Sequence, residues 1–399
     1  MRKIISFGFP FILILILSCN DNSQSIQLSP ENEIVQPNNI FALKLFREVN
    51  RQEGNKNIVL SPLSVSFALG MTVNGAAGAT RDSILRTLEL NGFSLNQINE
   101  SYQKLMNYIL QADSKVQFEL ANSIWYYIKF PFKQSFLDLC KLYYNSLVSG
   151  LDFEDPKAPD IINDWVNKST KGKIKEIIKE ISGSTVMYLI NAIYFKGSWV
   201  YMFDSSKTKK DVFYLLDGTT KMCDMMNQKV FVPFYSSQKF QAVDLPYGDK
   251  NFSMTIFLPA DVDDFINELT DQNYRYWLTE FREDSVGIFM PKFKVEYDIT
   301  LDTALQNLGM GLAFDCLFAD FSSMSYIEGL YIGKVKHRTY LSVDEQGTEA
   351  SAATAVEIDW KSIGPEQKII KLNRPFVFVI RERKTGAIIF IGKIVEPEM

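Results

Sequence analysis

Apolar residues recur at helical spacing through the first half of the chain. Phe41, Leu45, Phe46 and Val49 fall three or four apart from Asn39 onward, which predicts a helix with one buried face. Ile98, Tyr102, Leu105, Met106 and Ile109 predict a second amphipathic helix, and Phe136, Leu139, Cys140 and Tyr143 a third. Ile161, Ile162, Trp165, Val166 and Ser169 predict a fourth, with Gly172 ending it tightly. Residues 116–127 and 186–195 are rich in β-branched and aromatic side chains and predict strands. Residues 376–380 and 387–391 flank Lys384-Thr385-Gly386, a hairpin signal. Helices gather early and strands late, without βαβ alternation. That order favours an α+β architecture.

One stretch carries two patterns at once. Residues 344–361 read D-E-Q-G-T-E-A-S-A-A-T-A-V-E-I-D-W-K, a run of small residues of the kind found in loops. Yet Thr348, Ala350, Ala352, Thr354, Val356, Ile358 and Trp360 alternate with Glu349, Ser351, Ala353, Ala355, Glu357, Asp359 and Lys361. One set is small or apolar and the other mostly polar, the period of a half-buried strand. Gly347 upstream tolerates backbone angles that other residues avoid. Such a segment can live as a loop and also fit into a sheet.

With 399 residues, 46% hydrophobic and 22% charged, the chain is long enough for a large core or for two domains. A net charge of −5 argues against a nucleic-acid partner. There is no C-x-x-C pair, no P-loop and no G-x-G-x-x-G. The N-terminus has its own logic. Positive Arg2 and Lys3 precede an apolar run over residues 4–17, short for a membrane span. It closes on Ile16-Leu17-Ser18-Cys19 before polar Asn20-Asp21-Asn22, which resembles a bacterial lipobox with Cys19 as the lipidated residue; the alternative is an ordinary secretory signal. Residues 1–18 are thus expected to be a signal peptide, and 19–38, with Pro30 and Pro37, a tether. Residues 39–399 form the expected single folded body. Cys140, Cys223 and Cys316 are odd in number and widely spaced, so no disulfide framework is implied.

Five motifs in order then carry a resemblance. They are Ser61-Pro62-Leu63-Ser64, residues 191–199 (N-A-I-Y-F-K-G-S-W), residues 345–354 (E-Q-G-T-E-A-S-A-A-T), Asn373-Arg374-Pro375-Phe376-Val377-Phe378, and Phe390-Ile391-Gly392-Lys393-Ile394. Together they resemble the serpins, a family of protease inhibitors, over nearly the whole mature chain. The resemblance implies three sheets, eight or nine helices and an exposed reactive loop. A target protease cleaves that loop and is trapped as an acyl-enzyme while the loop inserts into the central sheet.

The same resemblance implies roles. Glu345, Gly347, Thr348, Glu349, Ala350, Ala352 and Thr354 form the hinge, and the family spacing from Glu345 puts the reactive bond between Lys361 and Ser362. Lysine there suits serine proteases of trypsin type, whose pocket pairs a basic side chain with an aspartate. A lysine-specific cysteine protease would read the same residue. His337, the single histidine, matches the shutter residue that bonds to Asn191 with Ser61 and Ser64 nearby, and Trp199 matches the tryptophan at the head of the sheet. One histidine weighs against a hydrolase and excludes a zinc site built on several. The expected protein is a lipid-anchored inhibitor of the cell envelope or its outer side, monomeric, without metal or cofactor. A non-inhibitory binding protein of the same fold is the alternative, disfavoured by the small residues of the hinge.

Overall fold

The computed structural model describes residues 33–348 and 368–398, with backbone alone at 118–121, 191–192 and 194. Cys19, Lys361, Ser362 and the hinge residues Glu349, Ala350, Ala352 and Thr354 lie outside the described residues.

The first third is largely helical: α1 (Val35–Glu53), β1 (Ile58–Leu60), α2 (Pro62–Gly75), α3 (Gly78–Thr87) and α4 (Leu95–Gln111). β2 (Val116–Tyr127), α5 (Gln134–Tyr144), β3 (Leu147–Leu151), α6 (Ala158–Ser169) and β4 (Met187–Ser198) follow. Then come β5 (Lys209–Tyr214), β6 (Thr220–Ser236), β7 (Phe240–Tyr247), β8 (Phe252–Pro259), α7 (Val262–Glu268) and α8 (Asp271–Glu280). The remainder is β9 (Arg282–Pro291), β10 (Phe293–Thr300), α9 (Asp302–Leu305), β11 (Lys336–Val343), β12 (Gly347–Thr348), β13 (Lys368–Lys371), β14 (Phe376–Glu382) and β15 (Ile388–Ile394).

Local chemistry explains most boundaries. Ser94 caps α4 by accepting from the N–H of Gln97, whose side chain in turn accepts from the N–H of Ser94. Gly172, with φ of +84°, closes the turn after α6 by donating to Asn167 O. The Phe376–Glu382 and Ile388–Ile394 strands pair antiparallel around Thr385, as the hairpin signal predicts. One boundary needs correction. α1 begins at Val35, so residues 35–38 are helix and not tether, and Val35 and Asn38 are buried. Pro37 does not prevent this, because first-turn N–H groups have no partner inside a helix. Ile161 is also corrected: it faces out from α6 while Ile162 and Val166 are buried.

The strands form the expected three sheets. A six-stranded sheet runs β10-β11-β12-β4-β2-β3. The other nine strands bond continuously because β6 belongs to two layers. Its first part pairs with β5 and β9, with β13 beyond, and its last residues pair with β7, leading on to β8, β14, β15 and β1. α2 threads the space between the layers, with every residue but Ala68 buried. The main core extends from α1 to β15, and a smaller one, around Trp125, Ile162 and Val166, lies under α6. Among the described residues, no helix is long and apolar enough to cross a membrane.

Candidate functional site at the head of the six-stranded sheet

β11 leaves the sheet through a tight turn and comes straight back. Asp344 N donates to Gly347 O at 2.9 Å, while Asp344 Oδ1 accepts from the N–H of Gln346 at 2.9 Å. The return strand, β12, is only Gly347 and Thr348, and it lies between β11 and β4. Thr348 pairs with Val343 on one side and Gly197 on the other, and Gly347 with Ser198. Gly347 has φ of +148°, and a Cβ there would sit 2.1 Å from Gly197 O, so the close approach demands glycine.

Three further contacts fasten the turn. Trp199 N donates to Gln346 O and Phe203 N to Glu345 O, both at 2.9 Å, and Trp199 Nε1 donates to Asp344 O at 3.0 Å. The Trp199 ring stacks on Tyr247 with centroids 4.3 Å apart and planes 14° from parallel. The hydroxyls of Tyr247 and Thr348 then share a hydrogen bond at 2.8 Å, with both side chains buried. Burial pushes the Tyr247 phenol up, so it stays neutral.

Glu345 points the other way. Its Oε2 pairs with Lys292 Nζ at 2.9 Å, and its Oε1 accepts from Thr208 Oγ1 at 2.8 Å. Burial works against the carboxylate, but the hydrogen bonds from Lys292 and Thr208 more than offset it and hold the carboxyl below its usual range.

Lower in the same sheet, His337 on β11 is buried, and its Nε2 accepts from the N–H of Ser61 at 3.0 Å. Desolvation lowers its pKa to about 4, so the ring is neutral and free to accept. Thr339 Oγ1 donates to Val59 O at 2.7 Å, a second tie between β11 and the segment entering α2. Ser61 and Ser64 are both buried there.

This site can be compared with known proteins. The family model described as serpin (serine protease inhibitor) matches residues 36–397. The chain belongs to the serpin family. Serpin B11 of Homo sapiens is 33% identical over 383 residues, covering 90% of this chain and 97% of its own. The thermophilic serpin tengpin in its native state superposes with a TM-score of 0.82 at 32% identity, over 91% of this chain and 94% of that one. Human thyroxine-binding globulin, solved in complex with thyroxine, gives a TM-score of 0.83 at 28% identity, over 92% and 100%.

The serpin structure brings Glu345, Gly347, Thr348 and Trp199 into one cluster and joins Ser61 to His337 in another, with Ser64 buried one turn further along α2. The expected bond between His337 and Asn191 falls on a side chain outside the described ones, and the partner found for His337 is a backbone N–H. Sequence reasoning missed Tyr247, Lys292 and Thr208. Each lies far along the chain from the hinge, and only the pairing of strands brings it there. Cys140 is a buried core thiol, and Cys316 is exposed. Among the described residues, no group of three or more metal-binding side chains exists.

Proposed function

We propose that this serpin inhibits trypsin-like serine proteases, which cleave it after Lys361 and are trapped as the loop inserts between β4 and β11. The observation that carries this is β12. Thr348 already pairs with both flanking strands and Gly347 with β4, so insertion extends a ladder that exists.

The register supports the rest. Continued antiparallel from Thr348, the loop would meet β4 down to Met187 at Ile358, and β11 down to Lys336 at Ala355. Six residues past Thr348, Thr354 would lie level with Asn191 on one side and His337 on the other. A hydroxyl there would come level with the buried imidazole of His337 instead of an apolar wall. Thr348 turns inward to Tyr247, so Ala350, Ala352, Thr354, Val356 and Ile358 would turn inward too, and Glu349, Glu357 and Asp359 outward. Every charge in the segment then stays on the outer face. From Thr348 to Lys361 the strand would span roughly 46 Å.

Lys361 before Ser362 is the basis for the target class. Cys19 and the polar residues after it support a lipid-anchored placement at a bacterial envelope, with the body held off the membrane by the segment before α1. Thyroxine-binding globulin has the same fold and is named for binding thyroxine, so the second reading is a binding module. Incubation with trypsin followed by a denaturing gel decides between them. A complex stable to denaturant, with release of the C-terminal fragment beginning at Ser362, is the expected result. Clean cleavage without a complex would favour the binding module, and trapping of only a lysine-specific cysteine protease would move the target to that class.

A further inference from the structure

β6, β9 and β13 form a three-stranded patch whose two faces differ sharply. Val230, Val232, Val286, Ile288 and Ile370 point inward and are buried. The alternate residues form the outer face, and two of them are large, apolar and exposed: Phe231 is 62% exposed and Ile369 is 47% exposed, while Phe289 beyond them is only partly so. Their rows are adjacent, Phe231 level with Ser285 and Ile369 level with Gly287. Two strand spacings and two residues of offset put them about 12 Å apart. Gly287 between the strands has no side chain to fill the trough, and Ser285 is small. The platform is fixed: Lys368 pairs with Asp284, and Ile369 O accepts from Gln241 Nε2 at 3.3 Å.

β13 begins seven residues after Lys361, so its first residue lies within about 25 Å of the reactive bond whatever the intervening path. A protease domain of roughly 220 residues is about 45 Å across. A protease engaged on that bond therefore has its body within reach of this face. We infer that Phe231 and Ile369 form a docking surface for the target protease, apart from the residues its active site reads. The inference rests on the inhibitory reading above. Apolar anchors beside a shallow trough, rimmed by exposed Lys229 and Glu283, have the anatomy of an interface centre.

The test is the second-order rate constant for trypsin attack on Lys361-Ser362 in the full chain, wild type against Phe231→Ser/Ile369→Ser. That constant exists whether attack ends in a trapped complex or a cut loop. Loss of trapping would overturn the inhibitory reading and leave this comparison intact. The expected result is a fall of about tenfold, with unchanged stoichiometry and melting temperature. Leu317→Ser/Phe318→Ser, at two still more exposed apolar residues elsewhere on the surface, should leave the rate at the wild-type value. An unchanged rate in the first double variant, or an equal fall in both, overturns the inference.

Discussion

Tyr247 and Thr348 meet hydroxyl to hydroxyl at 2.8 Å, 101 residues apart in sequence. Thr348 thus lies between β11 and β4, and the space its side chain occupies is closed by an aromatic stack. Thr348→Arg would put a guanidinium against Tyr247, and burying an unpaired charge costs several kcal/mol. The hinge should then fail to enter the sheet, and trypsin should cleave the variant without being trapped. The check is the ratio of cleaved chain to covalent complex. Full trapping by this variant would remove Thr348 from the hinge.

Tyr247→Phe keeps the ring stacked on Trp199 and removes only the hydroxyl. It leaves Thr348 Oγ1 buried without that partner, so the intact protein should lose about 1–2 kcal/mol. Denaturant titration should show a lower midpoint at an unchanged slope.

Glu345→Gln breaks the pair with Lys292 and leaves that ammonium, which is mostly buried, without its counter-charge. A loss of about 1–3 kcal/mol is expected at neutral pH. The wild-type contribution has a defined sign. The native carboxyl is held below its ordinary value of 4.5, so its stabilisation is present above that pH and disappears as pH falls through the native value. Wild type and Glu345→Gln should therefore converge in stability at strongly acid pH, measured by urea unfolding at a series of pH values.

His337 titrates in a separate window. Its native value of about 4 lies below the unfolded value of 6.5, because burial disfavours the charged ring. The unfolded chain binds the extra proton first. Stability is complete above pH 6.5 and should fall by about 3 kcal/mol on going down to pH 4. As the single histidine in the chain, His337 accounts for that window. His337→Gln should flatten the slope of stability between pH 6.5 and 4.5. An unchanged slope would contradict the assignment.

What the sequence made legible followed from short-range pattern. The period of α4, the full length of β2, and the 376–394 hairpin each declare themselves within a few residues. Of the alternation after Gly347, the described part is Thr348, which pairs between β11 and β4. What was not legible depends on strands meeting across long separations. Nothing near Tyr247 marks it as the partner of Thr348, and nothing near Lys292 marks it as the counter-charge of Glu345. The early start of α1 escaped because Pro37 reads as a linker residue when the first-turn exemption is overlooked. The bond from Ser61 to His337 escaped because it uses a backbone N–H, which has no sequence signature.

The central claim is that cutting the loop after Lys361 completes the six-stranded sheet. The direct measurement is the melting temperature of the intact chain against the chain cut at Lys361-Ser362, with the cut verified by mass. Insertion adds a full central strand with its ladder bonds. The cut form should therefore melt far above the intact one, by much more than the few degrees that 1 kcal/mol moves a domain. An equal or lower melting temperature in the cut form would contradict the account.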